Sequence, residues 1–148
     1  MNKLGRILSF CVLIMILLSF VSVSITFLFN KLFIPIQELI IYLHSTVFML
    51  GIVYAFHYDK HVRIDIFYQK YSSNKQKSVN QLGAIFLLLP FFSFIIYSSF
   101  NYVVSSWSKF ESSSEVGGLP FVFGLKSLIL LMPFSMIVYA LYKLVRNK

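Results

Sequence analysis

Four long apolar stretches, separated by short charged segments, dominate the sequence. Residues 7–30, 78–108 and 127–142 carry no charge, and residues 32–58 carry one. The last stretch lengthens when it is counted from Pro120, with Lys126 inside it. A helix needs about 20 apolar residues to cross a bilayer. The pattern therefore predicts an all-α integral membrane protein with four transmembrane helices in one domain over residues 1–148, with approximate spans 7–29, 35–58, 80–106 and 120–142.

The composition supports a membrane protein over a soluble one. Hydrophobic residues make up 58% of the chain and charged residues 12%, whereas soluble domains have about 45–50% and about 25%. This excludes a disordered chain, a soluble enzyme domain and a disulfide scaffold. The first stretch starts like a signal peptide, with Lys3 and Arg6. It is longer than the apolar region of a signal peptide, about 7–15 residues, so we expect a retained helix.

The distribution of positive charge predicts the orientation. Ten of the 13 Lys and Arg residues lie in the N-terminal segment, in residues 59–77 and in the C-terminal segment, and only Lys31, Lys109 and Lys126 lie on the other side. Positive charge favours the cytoplasmic side of a membrane. We therefore expect both termini and residues 59–77 in the cytoplasm. The net charge of +8 is explained by this topology and does not indicate a nucleic-acid partner.

The cytoplasmic segment 59–77 has an amphipathic pattern. Ile64, Phe67, Tyr68 and Tyr71 follow the i, i+3, i+4, i+7 spacing of a helix face, among basic residues. This pattern predicts a short interfacial helix between the second and third spans. Such a helix would lie on the membrane lipids of the anionic inner leaflet.

Prolines mark the expected start of one helix and the interior of two others. Pro35 stands where the second helix is predicted to begin, with Glu38 in its first turn near the positive end of the helix dipole. Pro90 and Pro133 lie inside the third and fourth stretches and predict kinks, because proline removes a backbone hydrogen bond. Trp107 is expected to anchor the outer interface, together with Tyr102.

Few ionisable residues lie within the spans, and each has two interpretations. Glu38 is either a proton or cation site, as in small multidrug exporters, or a dipole partner at the interface. His44 is either a proton shuttle or metal ligand, or a hydrogen-bonded packing residue. Lys126 either contacts substrate or extends to the outer interface as an anchor. His57 and His61 lie on or beside the same helix as His44, so a haem held between helices is not expected.

No catalytic, metal or cofactor motif is present in the sequence, and we expect neither an enzyme nor a cofactor. The outer connection, residues 109–126, is serine-rich and mildly acidic because of Glu111 and Glu115. Gly117 and Gly118 predict a turn before the last helix. This loop is either a solvated connection or a docking surface for an extracytoplasmic protein.

Several segments together resemble a known family. His61, Val62, Arg63, Ile64 and Asp65 resemble the His-Val-Arg-Val-Asp segment of the small membrane subunit of tripartite ATP-independent periplasmic (TRAP) transporters, the DctQ-like family. The start of the second helix, Gln37-Glu38-Leu39, is similar to its Glu-containing segment. Residues 106–112, 117–120 and 126–127 resemble its connection between the third and fourth helices. The resemblance covers the whole chain in order, although the tryptophan that many members carry early in the second helix is absent.

The resemblance implies a three-component system. Its other parts are a soluble periplasmic substrate-binding protein and a large multi-helix permease subunit that holds substrate and sodium, mostly for organic acids. The small subunit would pack against the large one without catalysis, with Glu38, His61, Arg63 and Asp65 as assembly and interfacial candidates. Two alternatives from other classes remain at this point: a self-contained, homo-oligomeric carrier or exporter that uses Glu38, and a membrane enzyme.

Overall fold

The computed structural model of the protein describes residues 3–58 and 71–146, and within these ranges every regular element is helical. The helices are α1 (Lys3–Phe29), α2 (Ile34–His57), α3 (Ser73–Gly83), α4 (Leu89–Ser108) and α5 (Val122–Arg146). A π-helical turn, Ala84–Leu88, joins α3 to α4 without a break. The predicted interfacial helix falls largely on residues 59–70, which lie outside the described residues.

Four helices are long and apolar enough to cross a membrane, as the sequence predicts. They are Lys3–Phe29, Ile34–His57, Lys75–Ser108 and Val122–Val145. The third contains 34 residues, or about 50 Å of helix, and the hydrocarbon core is about 30 Å thick. The third helix therefore extends beyond the core, and its polar, basic beginning on α3 forms the extension.

Proline positions explain two local features of the helices. Pro35 lies in the first turn of α2, where a missing N–H costs nothing. Ahead of Pro90, the N–H of Leu89 bonds to the carbonyl of Ala84, five residues back. This wider π turn accommodates the proline, whose ring would clash with the carbonyl four residues earlier in a regular α-helix. Pro133 lies inside α5 and is fully buried.

The four spans contact one another in the order α1, α2, α5, α4, so that α1 and α4 stand at the two ends. The buried apolar side chains include Val103 of α4 and Phe123, Met136 and Ala140 of α5. Small buried residues, Ser22 on α1 and Ser106 on α4, allow close approach of helix backbones, which is typical of packing between membrane helices. Many large apolar side chains of the spans, above all on α1 and α4, remain exposed on the outside.

Candidate functional site

The connection between α4 and α5, residues 109–121, folds back on itself as an ordered loop. The backbone N–H of Ser113 donates to the carbonyl of Leu119 at 3.1 Å, and the backbone N–H of Gly118 donates to the backbone carbonyl of Glu115 at 3.0 Å. Gly117 has a φ of +82°, a backbone conformation that glycine adopts without strain. The turn predicted at Gly117 and Gly118 is therefore present, and it closes the loop just before the last span.

Glu38 of α2 anchors this loop. One carboxylate oxygen accepts the backbone N–H of Leu119 at 2.5 Å, and the other accepts the Ser113 hydroxyl. Both contacts tie α2 to a segment more than 70 residues further along the chain. Hydrogen bonds to a carboxylate are about twice as strong as neutral ones. The Glu38 carboxylate thus determines where the loop sits at the end of the helices.

The placement of Glu38 corrects an expectation. The sequence predicted this residue in the first turn of α2, as a partner of that helix's own dipole. The helix begins at Ile34, and its first turn contains no acidic residue. Glu38 falls in the second turn, where the backbone N–H groups are already used within the helix. Its carboxylate therefore turns to the loop, whose Leu119 N–H needs an acceptor.

Gly118 fits closely against the Glu38–Ser113 contact. A β-carbon at this position would overlap the Ser113 side chain and lie 2.7 Å from the Glu38 Oε1 atom. The backbone of Gly118 has an ordinary φ, so space rather than torsion requires a glycine here. Sequence reasoning named Glu38 and Gly118 as separate candidates, and the structure brings them together.

A second pair fixes the other end of the loop. The Lys126 ammonium of α5 donates to the Glu111 carboxylate at 2.6 Å and lies 4.1 Å from the centre of the Tyr102 ring on α4. The hydrogen bond from Lys126 lowers the pKa of Glu111 below its ordinary value. The Lys126 side chain is only 14% exposed, so its ammonium is engaged by the protein itself.

Trp107 connects α4 to α5 beside this pair. Its indole N–H donates to the Ser127 hydroxyl at 2.7 Å, and its ring packs edge-on against Phe123 with centroids 4.8 Å apart. Trp107 is nevertheless 47% exposed, which leaves one side of the ring toward the surroundings. The predicted anchor is thus also a contact between two helices, which is a role that hydropathy alone does not reveal.

The remaining sequence candidates lie apart from this site. Glu115 is exposed on the loop. His44 is exposed on α2 and stacks on Phe48, one turn further along. His57 lies at the far end of the same helix, where its carbonyl accepts the Tyr139 hydroxyl at 3.1 Å. In the described part of the chain, no three acidic, histidine or cysteine residues come together as a potential metal site.

Three candidates fall in the segment that carries the closest motif resemblance. His61, Arg63 and Asp65 lie outside the described residues.

Sequence reasoning missed Ser113 and the Leu119 N–H as partners of Glu38. The available signal was that a carboxylate near a helix end and a glycine-containing loop were predicted on the same side of the membrane.

The described geometry can hold a loop in place but offers no arrangement for a reaction. Of the three carboxylates in the described residues, Glu38 and Glu111 are occupied by loop and helix donors, and Glu115 is exposed. All three lie at one end of the helices, on or next to the α4–α5 loop. The contacts of Glu38 and Glu111 hold the loop in a defined position at that end.

Comparison with known protein families identifies the family of this chain. The family described as "Tripartite ATP-independent periplasmic transporters, DctQ component" matches residues 15–147. This range includes the later part of the first span, the other three spans, the segment 59–70 and the anchored loop. Neither a curated protein nor a solved structure matches the chain at the significance applied.

Proposed function

The chain belongs to the DctQ family of TRAP transporter components, and from this premise we propose that it is the non-catalytic small permease subunit of a sodium-driven transporter for organic acids. The family works in a tripartite complex with a large permease and a substrate-binding protein. The observation that carries the proposal is the family match over nearly the whole chain. The four spans of the described structure agree with it.

The distribution of polar groups supports a role without a transport site. In the described spans, the acidic residue is Glu38, and its carboxylate is already bound by the loop. A carrier needs several polar groups that converge near the middle of the membrane to replace the hydration of its cargo. We therefore assign the substrate and sodium sites to the large permease subunit.

The open arrangement of the helices supports a role in packing. The spans bury few of their own side chains, and many large apolar side chains of α1 and α4 remain exposed. Membrane helices associate through van der Waals contact and hydrogen bonds rather than by exclusion of water. An extended row of helices offers a large area for such contact with the large permease subunit.

The orientation follows from the charge distribution. We propose that the chain lies in the bacterial inner membrane with both termini in the cytoplasm, since ten of its 13 basic residues lie on that side. The loop of residues 109–121 then faces the periplasm, with Glu38 at the same level. The anchored loop would be a fixed surface on the side where the substrate-binding protein arrives.

The geometry of Glu38 disfavours the self-contained carrier. A proton or cation site requires a carboxylate whose oxygens are available to the transported ion. In this structure both oxygens accept hydrogen bonds from the loop. Transport through Glu38 would first have to break those contacts.

Purification in mild detergent tests the proposal directly. The chain carries an affinity tag after Lys148 and is expressed with the untagged large subunit and binding protein of its own system. We expect the large subunit to be recovered with it in constant proportion. An unrelated tagged membrane protein expressed with the same partners is the control. Recovery of the chain alone, as a homo-oligomer, would contradict the proposal.

A further inference from the structure

Polar side chains form one continuous face along α4. Ser93, Tyr97, Asn101, Ser105 and Ser108 follow one another at intervals of four, four, four and three residues, which places them on one side of an α-helix. Each of the five is exposed in the described structure, and Tyr97 is 83% exposed. We refer to these five residues as the α4 polar face.

The α4 polar face points away from the rest of the chain. The opposite side of α4 packs on α5, and there Val103 and Ser106 are 4% and 2% exposed. Because α4 stands at one end of the row of spans, no helix among residues 3–58 and 71–146 covers the polar face. We infer that lipid or another protein surrounds it.

Asn101 is the residue least suited to lipid. It lies seven residues before the end of α4, about 10 Å along the helix from Ser108. A serine hydroxyl can bond to its own helix, as Ser108 does with the Ser105 carbonyl at 2.9 Å. The Asn101 amide forms no hydrogen bond with any residue that the structure describes. An amide without a hydrogen-bond partner is strongly unfavourable in hydrocarbon.

The outer face of α1, at the other end of the row, provides the contrast. Its exposed side chains include Phe10, Leu13, Leu17 and Phe20, between 54% and 72% exposed. This face is apolar over three turns and is suited to acyl chains. The two ends of the same molecule therefore differ in chemistry, which indicates that they meet different surroundings.

We propose that the α4 polar face packs against a transmembrane helix of the large permease subunit that presents a hydrogen-bonding side chain opposite Asn101. This placement rests on the proposed function, which supplies a large membrane-embedded partner. The face runs about 22 Å from Ser93 to Ser108, the length of a continuous helix–helix seam. Serines along it permit close approach. A shallow cavity of about 610 Å³, lined in part by Ser93, Tyr97 and Asn101, leaves room for the partner's side chains.

Photo-crosslinking in intact membranes tests which surface meets the large subunit. Benzoylphenylalanine replaces Tyr97 in one variant and Phe20 of α1 in the other, since both positions hold exposed aromatic rings. We expect illumination to join the Tyr97 variant to the large subunit, and to give no protein adduct in the Phe20 variant.

The outcomes separate the placement from the proposed function. If the large subunit co-purifies with the chain but crosslinks only at Phe20, or at neither position, the placement is wrong and the proposed function stands. An adduct with the mass of two copies of this chain also overturns it, in favour of a homodimer seam. If the large subunit is not recovered with the chain at all, the proposed function fails, and the placement fails with it.

Substitution of Asn101 tests the hydrogen bond itself. Asn101→Leu suits a lipid-facing position and removes the amide, so the variant folds whether or not the proposal is right. We expect the apparent affinity for the large subunit, measured in detergent, to fall about three-fold, the typical effect of one hydrogen bond between membrane helices. Ser9→Leu, an exposed polar position on α1, is the matched control and should change nothing. Unchanged or higher affinity with Asn101→Leu would contradict the proposal.

Discussion

The carboxylate of Glu38 holds the backbone N–H of Leu119 at 2.5 Å, across 81 residues of chain. The same carboxylate accepts the Ser113 hydroxyl, so one side chain at the start of the second span fixes the loop before the last span. Between these two residues lie the segment 59–70 and the whole third helix. The contact therefore sets the relative position of two helix ends that are distant in the sequence.

Removal of the Glu38 carboxylate should release the loop. Glu38→Ala leaves the Leu119 N–H without its acceptor, and a hydrogen bond to a charged group contributes about 1.5–3 kcal/mol. We expect exchange of the Leu119 amide with deuterium to accelerate by about ten-fold or more, and Glu38→Gln to have a smaller effect because its amide oxygen still accepts one bond. Glu115→Ala, at an exposed position on the same loop, is the control. Equal exchange in the Ala variant and the wild type would show that the anchor is not formed.

A methyl group at Gly118 should disturb the same contact by steric overlap. Gly118→Ala places a β-carbon against Ser113 and 2.7 Å from Glu38 Oε1, and overpacking of this kind costs about 1–3 kcal/mol. The single tryptophan of the chain, Trp107, reports thermal unfolding by its fluorescence. We expect the unfolding midpoint to fall by several degrees.

Gly51→Ala is the matched control for that substitution. Nothing lies within 4 Å of a β-carbon at Gly51, and alanine favours the helix by up to about 1 kcal/mol over glycine. The Gly51 variant should therefore be as stable as the wild type or more so. If the two alanine variants behaved alike, the close fit at Gly118 would be refuted.

Much of the fold was predictable because it depends on local composition. Gaps between charges give the four spans, Pro35 marks the start of α2, and Gly117 with Gly118 gives the turn. Hydropathy averages over about 20 residues and carries no information on which atoms meet. The contact between Glu38 and Leu119 depends on how the helices pack. The sequence therefore suggested Glu38 and the loop as separate candidates, but not the contact between them.

Contacts in the folded chain add detail to two predictions. Lys126 was expected to extend toward the outer interface or to contact substrate, and its ammonium is bound by Glu111 and lies over Tyr102. The proline in the third stretch predicted a kink, and a π turn lies just before Pro90. Hydropathy predicts neither the ion pair nor the π turn.

Acid should weaken the pair of Glu111 and Lys126. The hydrogen bond from Lys126 lowers the pKa of Glu111 in the folded chain. Its stabilising contribution is therefore complete above the unfolded value, about 4.3, and is lost as the pH falls through the lower folded value. We expect the thermal midpoint, followed by Trp107 fluorescence, to fall on acidification more in the wild type than in Glu111→Gln. Identical pH profiles for the two proteins would contradict the assignment.

Cysteine labelling tests the orientation. In a Cys11→Ser background, Ser112→Cys on the exposed loop should react with a membrane-impermeant maleimide added outside spheroplasts. A cysteine in place of Lys148 should react only after the membrane is opened, because positive charge keeps the C-terminal segment in the cytoplasm. Labelling of the C-terminal cysteine from outside would overturn the topology and the assignment of the loop to the periplasm.

Uptake into liposomes tests the central claim, that this chain is a necessary subunit with no transport activity of its own. The chain is reconstituted alone, with the large subunit, and with the large subunit plus the binding protein. Each preparation receives the same radiolabelled organic acid, one to which the binding protein is shown to bind. We predict uptake driven by an inward sodium gradient only when all three components are present, and none when the gradient is absent. Sodium- or proton-driven flux into liposomes that contain this chain alone would contradict the account.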